Sequence, residues 1–159
     1  MRRIDQLFEE YGESHQNSTN KAIHWICVPL IFFSIVGLIA SIPSSGVQAV
    51  FGDGNPYANW AGVALTLVLI YYVTVSIPLS IGMMLFSALC LIVANLIASK
   101  AGTPLWLVSL VIFGLAWIGQ FYGHKIEGKK PSFLKDIQFL LIGPAWLMHF
   151  IYKRLGIPY

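Results

Sequence analysis

Residues 54–99, GNPYANWAGVALTLVLIYYVTVSIPLSIGMMLFSALCLIVANLIAS, contain no Asp, Glu, Lys or Arg. A bilayer core needs about 20 mainly apolar helical residues per crossing, so this stretch is long enough for two. It divides into spans of about Ala58 to Ser76 and Ser80 to Ser99, with Ile77-Pro78-Leu79 as the predicted turn. The same absence of charge recurs from Ala22 to Gly52, from Ala101 to His124 and from Ile137 to Tyr152. Over all 159 residues, 57% are apolar and 11% charged, with a mean hydropathy of +0.71. Such values exclude a disordered chain, a disulfide-stapled secreted module and an ordinary soluble enzyme. The reading is all-α: a multi-span membrane protein forming one membrane-embedded domain over residues 1–159.

Two further spans complete a set of four transmembrane helices. The first covers about Ala22 to Ile42 and stops at Pro43-Ser44-Ser45-Gly46; the last covers about Leu105 to Tyr122. Ser44 to Asn59, with its Gly, Asp, Asn and Pro residues, reads as a loop or interfacial piece in which Val47 to Phe51 can dip into lipid. Trp60 and Trp106 stand near span ends, where aromatic belts form. The final apolar segment, Ile137 to Ile151, is short and carries Gly143-Pro144 in its middle, so a kinked, re-entrant or interfacial helix is expected. Arg2, Arg3 and Lys21 precede the first span, and Lys125, Lys129, Lys130 and Lys135 follow the fourth. An even number of crossings puts both groups on one face, predicted cytoplasmic, and Lys153 and Arg154 join them if the last segment does not cross.

Acidic residues at Asp5, Glu9, Glu10 and Glu13 replace the apolar run of a signal peptide at the N-terminus. There Ile4, Leu7, Phe8 and Tyr11 repeat at helical spacing and predict an amphipathic helix. A net charge of +3 is too small and too divided to imply nucleic acid. Cys27 and Cys90 fall within spans and read as small buried apolar residues.

The informative residues are the histidines: His15, His24, His124 and His149. The first three lie at segment ends predicted to meet on one face, with His124 just past the fourth span. Three converging imidazoles can hold zinc, iron or copper and leave positions open. On one continuous helix, nine residues turn a side chain by about 900°, which would leave His15 and His24 on opposite faces. A shared metal therefore requires a break, and Ser18-Thr19-Asn20, residues that favour N-caps, can supply it. The plainer reading is a set of hydrogen-bonded interfacial histidines, with Asn17 and Asn20 as helix caps and Glu127 in a solvated ion pair with Lys129 or Lys130. His149, among Trp146, Leu147 and Phe150, fits a packing role better than a ligand role.

The segment His15-x-Asn17-x-x-Asn20-x-x-x-His24 with Val28-Pro29, followed by Gly119-Gln120-Phe121-x-Gly123-His124-x-x-Glu127-Gly128-x-x-Pro131, Asp136, Gln138 and Gly143-Pro144, resembles a known family. It is the small membrane family of iron-dependent 2-hydroxy fatty acid dioxygenases, whose characterised fungal member acts in the endoplasmic reticulum in the degradation of phytosphingosine to odd-numbered fatty acids. The likeness runs from about Tyr11 to Pro144. It implies Fe(II)-dependent α-oxidation of a long-chain 2-hydroxy fatty acid, with dioxygen, to a fatty acid one carbon shorter. It makes His15, His24 and His124 the metal ligands and catalytic set. His149 departs from the family pattern and is either a fourth ligand of a subgroup or an unrelated packing residue. Without an extended C-terminal tail, the chain reads as a compact, bacterial-type member; its compartment would be the inner membrane in a bacterium and the endoplasmic reticulum in a eukaryote.

The chemistry accords with this. Three histidines occupy three positions of an octahedral iron and leave room for a bidentate 2-hydroxycarboxylate and dioxygen. Asn17, Asn20, Gln120 and Glu127 are candidate groups for orienting imidazoles or bound water, and Lys129 and Lys130 for steering the substrate carboxylate. Zinc can replace iron in purified protein, because the affinity order does not favour Fe(II). The rival readings are another metal-dependent lipid-modifying enzyme built on the same histidines and a non-catalytic membrane scaffold.

Overall fold

A computed structural model describes residues 2–128 and 137–159. All regular structure among them is helical: α1 (Arg3–Gly12), α2 (Ser18–Ala40), α3 (Ser45–Phe51), α4 (Trp60–Val75), α5 (Ile77–Lys100), α6 (Leu105–Glu127) and α7 (Ile137–Leu155). The all-α expectation holds, and the boundaries differ in ways that local chemistry explains. Helices α4 and α5 are separated by one extended residue, Ser76, whose hydroxyl caps Leu79 N–H at 3.4 Å. Pro78 is thus inside the first turn of α5 and not in a turn of its own, because at the start of a helix its missing N–H costs nothing. Helix α6 continues past Tyr122 to Glu127 and ends where Gly128 adopts φ +72°, a left-handed C-cap that glycine takes without strain.

Helix α7 is longer than expected and runs through Gly143-Pro144 as far as Leu155. Glycine before the proline has no Cβ to clash with the ring. The carbonyl that Pro144 leaves without a helical donor is that of Leu140; the next one, of Leu141, accepts a 2.6 Å hydrogen bond from the Tyr72 hydroxyl of α4.

The dominant helix pair is α2 with α6, held by small residues. A Cβ on Gly37 would meet Ser109 Oγ, one on Gly119 would sit 2.6 Å from Cys27 Sγ, and one on Gly123 would sit 2.5 Å from Asn20 Oδ1. The three pairs descend α2 in the order in which they ascend α6, so the helices are antiparallel and their backbones lie close, as membrane helices associate. Gly119→Ala is expected to cost roughly 1–3 kcal/mol of stability through this overpacking, and Cys27→Ala in the same chain to recover most of it, read as thermal unfolding temperatures in detergent.

Against this pair α1 and α7 close one end, burying Ile4, Phe8 and Tyr11 with Ile142, Ala145 and Trp146. The outward surface is apolar: Leu67 is 64% and Ile118 68% exposed, whereas Ser34, Ser87 and Ser109 are buried. That inversion suits a lipid surround. Helices α2, α5 and α6 are long and apolar enough to cross a membrane. The 16 residues of α4 rise only about 24 Å, short of a core of about 30 Å.

Candidate metal centre

The antiparallel α2–α6 pair brings the first turns of one helix beside the last turn of the other. His24 lies in the second turn of α2; His124 lies in the last turn of α6, within the helix and not beyond its end. His15 is supplied by the break between α1 and α2. That break falls at residues 13–17, just upstream of Ser18-Thr19-Asn20, because Asn17 is the N-cap: its side-chain oxygen accepts from Thr19 N–H at 2.9 Å and Asn20 N–H at 3.3 Å.

The three imidazoles converge. One ring nitrogen of each lies within 4.8 Å of the others, the rings are 4.3 to 5.0 Å apart between centroids, and all three residues are buried. His15 Nδ1 donates to the Tyr11 carbonyl at 2.6 Å, and His24 Nδ1 donates to the Asn20 carbonyl at 2.9 Å. A carbonyl has no proton to give, so in the neutral rings both Nδ1 atoms carry the hydrogen and both Nε2 atoms are bare lone pairs. Those two lone pairs face each other at 2.8 Å. With no proton between them they repel, and a shared cation would reverse the sign. Nitrogens held at about 2.0–2.1 Å on perpendicular bonds to one metal are about 3 Å apart, close to this spacing. His124 can supply the third donor, since among the described residues both its ring nitrogens are buried without a hydrogen-bond partner. The residues present therefore fit a metal ion better than a self-contained hydrogen-bond network.

Burial pushes the pKa of His15 down to about 4, with nearby His124 acting in the same direction, so the ring is neutral and ready to ligate near pH 7. In the unfolded chain it titrates near 6.5. Between these values the unfolded state binds more protons, and stability falls as pH falls. Metal-free protein is expected to lose melting temperature steadily from about pH 6.5 to about pH 4, measured by calorimetry in detergent.

Glu127 holds the arrangement together and forms no solvated ion pair among the described residues. Its two carboxylate oxygens accept from Gln16 N–H and Asn17 N–H, each at 2.9 Å, and from Asn20 Nδ2 at 3.0 Å. It thus ties the loop carrying His15, and α2 carrying His24, to the turn of α6 that carries His124. Asn20 also donates to the Ser14 carbonyl at 3.3 Å, and Gly123 opposite leaves it room. Gln120, one turn before His124, is 2% exposed, and its Oε1 has no partner among the described residues.

His149 is elsewhere. Its ring packs edge-on against Phe8, Phe150 and Tyr159 at 5.0–5.1 Å, and its Nδ1 is hydrogen-bonded to the Tyr159 hydroxyl. Lys129 and Lys130 lie outside the described residues. Lys21 and Arg154 instead line a cleft with Trp25, Trp146 and Phe150, and Trp146 packs 5.4 Å from His15. By helical spacing alone Tyr11 is only part of an apolar stripe. Besides offering its carbonyl, Tyr11 stacks on His15, with centroids 4.3 Å apart and planes 13° from parallel. The spacing of four residues was a signal for that stack, although a carbonyl's role carries no residue-type signature.

No curated protein and no solved structure matches the chain. The histidine segments that meet at this centre lie within residues 1–155, which match the family model described as 2-hydroxy-palmitic acid dioxygenase Mpo1-like, and the chain belongs to that family.

Proposed function

We propose that the protein is an Fe(II)-dependent membrane dioxygenase that converts a long-chain 2-hydroxy fatty acid to the fatty acid one carbon shorter. The observation that carries this is the facing pair of bare Nε2 lone pairs on His15 and His24, with the orphaned ring of His124 beside them. The family description supplies the substrate class and the use of oxygen. The reaction balances on its own: a 2-hydroxy acid and one dioxygen give the shorter acid, carbon dioxide and water. All four electrons come from the substrate, so no organic reductant is needed.

His15, His24 and His124 would hold the iron, which when bound supplies Lewis-acid and oxygen-binding chemistry. The chain's own part is orientation. The Tyr11 and Asn20 carbonyls fix the tautomers that aim both Nε2 atoms inward, and Glu127 holds the loop in register. The amide oxygen of Gln120, buried and unpartnered, can accept the hydrogen of the substrate's 2-hydroxyl. Lys21 and Arg154, in the cleft behind Trp146, take the role of attracting the carboxylate; from the sequence alone, the same role is assigned to Lys129 and Lys130. In this reading α4 crosses a locally thinned bilayer as a fourth span, and the centre faces the cytoplasm, a side that the excess of Lys and Arg near it supports.

The test is anaerobic loading with Fe(II), addition of 2-hydroxypalmitic acid and oxygen, and mass spectrometry of the lipid. Pentadecanoic acid, formed mole for mole with oxygen consumed and abolished in zinc-loaded protein, is the expected result. Iron demonstrably bound without conversion at any chain length would sink the reading.

A further inference from the structure

Beside the histidine centre is a partly open apolar cavity that the metal chemistry does not use. It follows one face of α2 through Val28, Phe32, Val36 and Ile39, and is closed over by Ala61, Ala64, Leu65 and Val68 of α4, with α6 and α7 completing the wall. Its two ends are chemically different. At one end are Tyr11, which stacks on His15, and Gln120, whose amide oxygen is unpartnered one turn from His124. The Tyr72 hydroxyl bond to the Leu141 carbonyl brings the C-terminal part of α4 to this end. At the other end, where Trp60 Nε1 donates to the Pro43 carbonyl at 3.2 Å and joins the start of α4 to the end of α2, the lining is Ile39, Ala61 and Ala64.

We propose that this cavity holds the acyl tail of the substrate, with the polar head at the histidine centre, and that Ile39 and Ala64 set the longest chain accepted. The assignment rests on the dioxygenase reading above and extends it to substrate length. A cavity that is apolar along its walls and polar at one end complements an unbranched amphiphile. The fifteen-residue step from His24 to Ile39 rises about 22 Å, and at about 1.3 Å per methylene that accommodates roughly sixteen to eighteen carbons. Ala64 is, with Ala61, a small residue at the far end: a larger side chain there occupies the space of the last few carbons without touching the centre.

The experiment uses the full chain, iron-loaded and kept anaerobic in detergent, with a 2-hydroxyhexadecanoic acid carrying a diazirine near its terminal carbon. Photolysis is expected to label residues 35–39 or 61–65, and Ala64→Phe to abolish that labelling while a twelve-carbon probe still binds. In aerobic turnover Ala64→Phe should shift the preferred substrate shorter by about four carbons, and Ile39→Ala should shift it longer. Adducts spread over outward residues such as Leu67 and Ile118, unchanged in both variants while turnover persists, would overturn the tail site and leave the dioxygenase standing. Localised, variant-sensitive labelling without any turnover would keep the tail site and overturn the dioxygenase.

Discussion

His124→Phe is expected to abolish iron binding and oxygen-dependent turnover while leaving the metal-free protein as heat-stable as the unmodified chain, or more so. Both ring nitrogens of His124 are buried and, among the described residues, unpartnered. A buried polar atom without a partner costs about 1–3 kcal/mol, and phenylalanine removes both such atoms while filling the space. Phenylalanine at His15 or His24 should also abolish binding and turnover, but with a loss of stability, because each strips the donor from a buried carbonyl, that of Tyr11 or Asn20. The contrast separates a ligand from a packing residue. If His124 only packed, its replacement would leave iron binding untouched. Melting curves with and without Fe(II) read both effects at once: ligand at a hundred times its dissociation constant stabilises the folded state by about 2.7 kcal/mol, and the His124 variant should show none of that shift.

The helical class was legible because residues 54–99, uncharged throughout, are long enough for two apolar helices, and the histidine set because imidazoles at span ends are few. What was not legible is what depends on partners distant in sequence. Glu127, with Lys129 and Lys130 close by in sequence, reads as half of a solvated ion pair, yet its oxygens accept from amides more than a hundred residues away. Pro78 looks like a turn residue because a breaker between two apolar runs is ambiguous by one turn; the hydroxyl of Ser76 decides the helix start. Likewise Gly143-Pro144 reads as a break, yet α7 runs through it, because Gly143 has no Cβ to meet the proline ring. The glycines at 119 and 123 are in the motif for a reason that only the α2–α6 contact reveals: Cys27 and Asn20 occupy the space where their side chains would be.

Glu127→Gln should weaken iron binding by about 10–100-fold, the range typical of groups that orient metal ligands, and activity should return at saturating Fe(II). The carboxylate receives three N–H groups, from Gln16, Asn17 and Asn20. Glutamine keeps the shape but replaces one acceptor oxygen with an NH2, which must then face an N–H donor, and removes the charge that strengthens the bonds. The loop bearing His15 loses its register to α6, so the three ring nitrogens are less often in place together. None of the three donors is lost, however, which is why excess metal can restore the site. Glu127→Ala, with every acceptor gone, should bind more weakly still and need more iron for the same rescue. Iron titrations by calorimetry beside turnover measured at saturating Fe(II) distinguish this positioning role from ligation: a ligand variant stays inactive at any iron concentration. If Glu127→Gln behaves that way, the carboxylate belongs in the coordination sphere; if its iron affinity is unchanged, the clamp does not govern the centre.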